Sequence, residues 1–499
     1  MEPSSHSLHR PLRILFATSE VFPLVKTGGL ADVSAALPAA LRILGHDVRL
    51  ILPAYPQALE RLGPTQEVMR LEPPALNAMA RILLGQTTEG MPVYLVDAPN
   101  YFDRGGNPYT DMSGRDWGDN PDRFALFAQA VVALSHRDQG EAFFCPDLVH
   151  SNDWQTGLIA PLLASHRNRP ATLFTVHNLS YQGIFDAATF QRLHLPRYLW
   201  SIDGLEFFGR MSFIKGGIHC SDFVTTVSPT YASEIRYSTL GYGLEGLFRH
   251  LGNRFEGILN GIDHDVWNPA TDPYLVHPYD IERFSERFEN KRALQREFGL
   301  PESHHVLLLG YIGRLIEQKG IDLILQILPG LMERQDIQMV FLGSGEAGFE
   351  EALLDAQSRH PGRVGVFAGY DEGKAHRIEA GCDSFLMPSR YEPCGLNQLY
   401  SLRYGAVPIV RRTGGLADTV VDASFNNLAN HSASGFVFEF ADPSGLWQAV
   451  DRAYQYWRYS TDHWRQIAIT GMRQDNSWTA RARKYEEIYR RVVSLQSGF

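Results

Sequence analysis

The chain is 499 residues long, 44% hydrophobic and 20% charged, which is ordinary for a soluble globular protein and too long for a single core. Its 46 basic residues are outnumbered by 56 acidic ones, for a net charge of −10. With no Lys/Arg run to form a local basic patch, a nucleic-acid partner is not expected.

The first predicted element is a buried strand over Leu12 to Ala17, followed by the loop SEVFPLVKTGG. Leu30, Val33, Leu37, Leu41 and Leu44 then recur at helical spacing, with Gly45 where a C-terminal cap belongs. Pro38 falls inside this pattern and is expected to kink the helix or restart it. A strand over Val48 to Leu52 completes a βαβ unit, which implies a parallel sheet. Further strands are expected at Val93 to Val96, Leu148 to His150, Thr172 to Val176 and Phe223 to Val227. Segment 101–120, rich in Gly, Asp and aromatics, reads as a long surface loop of the kind that usually carries function.

Residues 261–280 (GIDHDVWNPATDPYLVHPYD) break the pattern and read as an inter-domain linker. A charged helix over Ile281 to Phe298 opens a second strand–helix series. Its strands are Val306 to Tyr311, Gln338 to Leu342, Val364 to Phe367, Ser384 to Met387 and Val407 to Val410. A helix over Thr479 to Leu495 ends the pattern. The expected domains are 11–265 and 266–478, with 479–499 packing back onto the first. The four cysteines show neither metal spacing nor a disulfide pattern, in keeping with a reducing compartment. No stretch is apolar for long enough to span a bilayer, and MEPSSHSLHRPLR lacks the apolar core of a signal peptide. A cytoplasmic protein with no membrane partner is expected.

The chain writes one heptapeptide nearly twice, KTGGLAD at Lys26 to Asp32 and RTGGLAD at Arg412 to Asp418. Paired glycines before a helix let backbone N–H groups close on an oxyanion, or they make no more than a tight turn. In open parallel sheets, ligands bind at the carboxyl ends of the strands. That rule selects Glu20, Lys26, Asn152, Asp153, His177 and Asn178 in the first half. In the second it selects Arg314, Lys319, Gly343, Gly345, Tyr370, Arg390, Glu392, Arg412 and Thr413. Basic and phosphate-cradling groups concentrate in the second half, as for an anionic nucleotide donor. The acid, amide and imidazole of the first half suit the hydroxyls of a neutral polyol.

Each choice has a plainer reading beside it. Arg314 and Lys319 could neutralise a pyrophosphate or be solvated charges at a helix start. Glu392 could accept from sugar hydroxyls or be a first-turn helix acid. Cys394 could be a reactive thiol or a buried packing residue. Asp153 could simply cap a helix. No metal site, catalytic triad or cofactor motif is discernible.

KTGGLADV, FTVHNLSYQG, LEFFGRMSFIKGGI, TVSPTYASEI, LNGIDHDVWNP, IGRLIEQKG, PSRYEPCGLNQL and RRTGGLADTV occur in the order of bacterial glycogen synthases and plant starch synthases. From about Leu12 to the last helix the chain resembles that family. The resemblance implies an α/β fold with two facing Rossmann-like domains, the GT-B arrangement, around a deep cleft. It implies retaining transfer of glucose from ADP-glucose to the 4-hydroxyl at the non-reducing end of an α-1,4-glucan (glycogen or a malto-oligosaccharide), without metal or cofactor. Carried over by motif, Lys26, Gly28 and Gly29 would lie by the donor and Asp32 towards the nucleotide. Asp153 and His177 would contact the glucosyl unit, with Asn178 alongside. Arg314 and Lys319 would hold the diphosphate, Tyr370 would lie against the base, and Glu392 would bind sugar hydroxyls beside Cys394. Asn260, Gly395 and Asn397 complete the expected substrate contacts.

The chain departs from the pattern at Asn152, where the family commonly has a second His, and at Asn397, often Thr. Asn397 could still donate a hydrogen bond to phosphate. Tyr400 stands where the broader E-x₇-E pattern has its second Glu, which the family's own EPCGL form also lacks. A dehydrogenase reading is disfavoured because no GxGxxG follows the first strand. The presence of Lys26, Asp153, His177, Arg314, Lys319 and Glu392 together disfavours a non-catalytic glucan-binding protein.

Overall fold

The run RILFA becomes β1 (Arg13–Ala17), whose last four residues are buried, as a strand covered on both faces must be. The computed structural model describes residues 10–72, 79–135 and 144–497. The first nine residues, read above for a leader, and residues 498–499 lie outside them. The remaining strands of the first half are β2 (Asp47–Pro53), β3 (Gln66–Leu71), β4 (Ala80–Gln86), β5 (Pro92–Asp97), β6 (Leu148–Asn152), β7 (Ala171–Val176), β8 (Ile184–Phe185), β9 (Glu206–Phe207), β10 (Arg210–Ser212), β11 (Phe223–Thr226) and β12 (Phe255–Gly257). Nine of them form one sheet in the order β12-β11-β7-β6-β1-β2-β5-β4-β3. It is parallel except where β4 runs against β5 and β3. Strands β8, β10 and β9 form a small antiparallel sheet.

The chain divides into two units. The first takes in residues up to Val227, Ala232–Ile258 and the segment from Trp478; the second takes in Ser228–Tyr231 and Leu259–Ser477. The helix Gly29–Ile43 runs through Pro38 without a break, so of the two expectations, a kink or a restart, the restart does not occur. A proline removes one N–H from the ladder, and the buried apolar residues on either side, Leu37 and Leu41, keep the helix seated. The C-terminal helix Trp478–Ser497 packs in the first core through Trp478, Ala482, Tyr485, Ile488, Tyr489 and Val492. Tyr489 OH lies 2.7 Å from His150 Nδ1, and His150 Nε2 lies 2.6 Å from Thr175 Oγ1. Burial holds the His150 pKa well below its usual value, so the ring is neutral.

The second unit contains β13 (Leu307–Ile312), β14 (Ile337–Gly343), β15 (Val364–Ala368), β16 (Ser384–Met387), β17 (Val407–Arg411) and β18 (Phe436–Phe438), all parallel, in the order β15-β14-β13-β16-β17-β18. Segment 261–280 has no helix or strand but is not a free linker. Trp267 stacks on His376 and Tyr400 at 3.8 and 3.6 Å between ring centroids. Asp272 Oδ2 accepts from Tyr404 OH at 2.6 Å and meets His376 Nδ1 at 2.7 Å. These partners lie more than a hundred residues away, where local composition carries no sign of them.

In each of the two large sheets the strand order reverses beside the first strand, between β1 and β6 and between β13 and β16. Crevices open at the carboxyl ends of such strand pairs. Glu20 and Asp153 follow β1 and β6, and Lys319 and Glu392 follow β13 and β16, whereas His177, Asn260 and Tyr370 follow other strands, β7, β12 and β15.

Candidate active site

In the first unit, Glu20 follows β1 and is 3% exposed. Its carboxylate accepts from Thr27 Oγ1 at 2.9 Å, from the Gly28 N–H at 3.2 Å and from Tyr109 OH at 2.8 Å. Burial raises its pKa, and these hydrogen bonds oppose the rise. The glycine turn of KTGG therefore does close on an oxyanion, and that oxyanion is a side chain of the same protein. Lys26 Nζ lies 2.9 Å from Asp32 Oδ1, so the two expected donor contacts pair across the start of the helix that Gly28 caps and Gly29 begins.

Asp153 leaves β6 with φ 57° and ψ −179°, a conformation that is strained for a residue with a Cβ and is concentrated at functional sites. Its Oδ1 accepts from the His177 N–H at 2.7 Å. Burial raises this carboxyl to about 7 despite the backbone N–H groups of His177 and Asn178 that hold it down. His177 Nε2 meets Asn152 Oδ1 at 2.9 Å, and burial lowers the imidazole pKa to about 3. Asn178 turns its own side chain back on Ser180, accepting from the Ser180 N–H at 3.1 Å and hydroxyl at 2.8 Å. Asp153 does not cap the short helix after it by a side-chain bond, which removes its plainer reading.

In the second unit, Lys319 Nζ lies 2.6 Å from Glu392 Oε2, joining the loops that follow β13 and β16. Ser389 Oγ donates to the same oxygen at 3.0 Å. Arg314 is exposed and reaches Gln318 Oε1 at 3.4 Å. Arg390 binds Glu317 and Asp322 at 3.2 and 2.8 Å, so it braces the loop. Tyr370 is 68% exposed, and its hydroxyl contacts Glu372. Asn260 is buried with its side-chain oxygen unpartnered.

The second glycine pair does not form the oxyanion cradle offered as one reading of both copies. A Cβ on Gly414 would collide with the Glu392 carbonyl, and one on Gly415 with the Cys394 backbone. The Gly415 N–H donates to the carbonyls of Glu392 and Pro393, each at 3.2 Å. This pair lets the EPCG loop, including Gly395 at φ 74°, lie flat on a helix start and holds Glu392 in place. Arg412 pairs with Glu439 at 2.6 Å, and Asp418 accepts from the Thr230 N–H and hydroxyl at 2.9 and 2.7 Å. Asn397 donates to the Ile312 carbonyl at 2.8 Å, so one of its two amide hydrogens is already engaged. Cys394 is 4% exposed and precedes the helix Asn397–Tyr404, the packing alternative of its two readings. Cys394→Ser is accordingly expected to keep kcat within about three-fold, measured beside circular dichroism of the folded variant. A loss of several decades would restore a chemical role for the sulfur.

Tyr109 and Ser389 were not singled out from sequence. The unusual length and aromatic content of segment 101–120 was the available signal for Tyr109, whose hydroxyl also lies 2.8 Å from Ser19 Oγ. Among the described residues, no group of three or more His, Cys, Asp or Glu could hold a metal ion, and no helix is long and apolar enough to cross a membrane.

Residues 13–250 match the family model described as the starch synthase catalytic domain, and residues 291–468 match glycosyl transferases group 1. With a parallel α/β sheet in each unit, these matches define a glycosyltransferase of the GT-B fold class. Glycogen synthase 2 of Nitrosococcus oceani is 52% identical over 97% of this chain and 98% of its own length. Glycogen synthase 1 of Methylococcus capsulatus is 51% identical over 97% of each. The catalytic domain of starch synthase IV from Arabidopsis thaliana, solved with ADP and acarbose, is 34% identical with a TM-score of 0.88 over 97% of this chain and 100% of that one. Sucrose-phosphate synthase of Thermosynechococcus elongatus, 16% identical with a TM-score of 0.60 over 97% of this chain and 100% of that one, shares the fold. The chain belongs to the glycogen and starch synthase family, and it is a glycosyltransferase.

Proposed function

We propose that the protein transfers glucose from ADP-glucose to the non-reducing 4-hydroxyl of an α-1,4-glucan, with retention of configuration, in the cytoplasm. Residues 11–265 form the acceptor side and 266–478 the donor side. The observation that carries this reading is the Lys319–Glu392 pair, 2.6 Å apart at the switch point of the second sheet. Such a pair offers a cation for a departing phosphate next to an acceptor for sugar hydroxyls. The similar starch synthase bound to ADP and acarbose supports the choice of nucleotide and of glucan.

Loosening of the donor C1–O bond gives an oxocarbenium-like state and places charge on the departing diphosphate. Lys319 and Arg314 stabilise that charge from fixed positions, while Asp153 and Glu392 hold the ring. A phosphate oxygen takes the proton from the acceptor hydroxyl, so no protein base is required. Lys26, Gly28, Gly29 and Asp32 line the donor. Asn178, Asn260, Tyr370, Cys394, Gly395 and Asn397 complete the substrate contacts, with Cys394, Gly395 and Asn397 acting through the loop that presents Glu392.

The test is incorporation of labelled glucose into glycogen, with ADP-glucose and UDP-glucose in parallel and EDTA present. Strong incorporation from ADP-glucose is expected. Activity with UDP-glucose alone would overturn the donor, and loss with EDTA would overturn metal independence. Arg314→Ala should lower kcat by about 10²–10³-fold with the fold intact. A few-fold loss would remove Arg314 from the charge-stabilising role.

A further inference from the structure

We infer that Asn152 is a positioning residue that fixes His177 as its Nε2–H tautomer, leaving Nδ1 to accept a hydrogen bond from a sugar hydroxyl. Asn152 ends β6 and is fully buried. Its Nδ2 donates to the Ala17 carbonyl at the end of β1, at 3.0 Å. A carbonyl can only accept, so the amide cannot turn over without setting oxygen against oxygen. Oδ1 is therefore the atom that faces His177 Nε2 at 2.9 Å. Oδ1 also only accepts, and the proton between them belongs to the imidazole.

A neutral ring carries one proton, and here that proton is on Nε2. Neutrality follows from burial, which lowers the His177 pKa to about 3. The titratable groups nearby do not reverse it. Asp153 meets His177 through the backbone N–H, Glu20 acts on Asp153, and His150 is itself buried and neutral. A histidine at this position could donate or accept, and would leave the tautomer open. Asparagine removes that freedom.

The role given to Nδ1 rests on the reading of His177 as a sugar contact; the tautomer does not. The primary test is a two-bond ¹H–¹⁵N correlation spectrum of the intact protein carrying ¹⁵N-histidine, with His177 assigned by its absence in His177→Gln. Nε2 is expected to be protonated and Nδ1 bare from about pH 5.5 to about pH 8, without titration. A protonated Nδ1 at neutral pH would overturn the inference. This readout stands even if no glucosyl transfer is found, a result that would sink the functional proposal instead.

Asn152→Asp tests the consequence. A carboxylate beside the ring raises the His177 pKa, so Nδ1 becomes protonated on the acid side and ceases to accept. The acidic limb of kcat/KM should move to higher pH than the parent's, and kcat/KM should return to within about three-fold of the parent at about pH 8.5. An unchanged pH profile, in a variant whose His177 is seen to titrate, would overturn the acceptor role. If the variant fails to fold, the spectrum of the parent decides.

Discussion

Lys319→Ala is expected to lower kcat/KM by about three orders of magnitude, the scale of removing one preorganised stabiliser of transition-state charge. The same change should lower stability. The Glu392 side chain is 7% exposed and, among the described residues, would keep Ser389 as its side-chain partner. Removing one member of a buried ion pair costs about 3–5 kcal/mol. Lys319 keeps 22% of its side-chain exposure, so the lower end, about 3 kcal/mol, applies. The two losses separate in Lys319→Ala/Glu392→Gln. Neutralising the stranded carboxylate should recover most of the Tm while kcat/KM stays low. Recovery of activity along with Tm would mean that Lys319 acts through the fold. A single variant within ten-fold of the parent would remove it from the chemistry.

Asp153→Asn should make the protein more stable and less active. The Asp153 carboxyl is raised from 3.8 to about 7 by burial, so the fold favours its protonated form. Relative to that form, stability falls as pH rises from about 4 to about 7 and is flat above, since the unfolded chain ionises first. At about 1.4 kcal/mol per unit, the ionised carboxylate costs up to about 4 kcal/mol, fewer where water still reaches it. Asparagine keeps an oxygen for the His177 N–H, carries no charge, and tolerates the positive φ of 57° better. A Tm above the parent's at pH 8, with the gap closing towards pH 4, is the expected result. The activity of the parent should rise through about pH 7 as the carboxylate forms, and the variant should lack that limb. Equal Tm values at pH 8 would mean that the site stores no such cost. This is the common pattern of an active site held at the expense of the fold.

Much of this was legible because parallel sheets expose their strand ends. That rule selects Asp153, His177, Lys319 and Glu392 without any motif search, and the two large sheets have the expected parallel α/β order apart from the antiparallel β4 beside β5 and β3. What escaped was settled at long range. The hairpin of β3 and β4 is an edge of the sheet, with Gln66 and Glu67 exposed, so it lacks the buried apolar run that marks the central strands. Strand β18 is three residues long. Segment 261–280 resembles a linker because its aspartates and prolines say nothing of His376 or Tyr404. The two heptapeptides read alike, yet the first wraps a carboxylate and the second presses on a loop. Only the partners, Glu20 and the EPCG backbone, distinguish them. The value of Asn152 was hidden for the same reason: its donor bond reaches back 135 residues to Ala17.

The return of Trp478–Ser497 to the first core has a consequence for the order in which the protein is made. A ribosome releases the N-terminal sheet first, and domains generally fold as they emerge. This one emerges incomplete, with Tyr489, a hydroxyl partner of His150, more than two hundred residues beyond the sheet's last strand. The groove that later takes Tyr485 and Tyr489 is apolar and uncovered for that interval, while the whole second unit is translated. The last helix thus acts as a completion signal, and a chain released before it would carry every strand of both sheets and still lack the piece that closes the first.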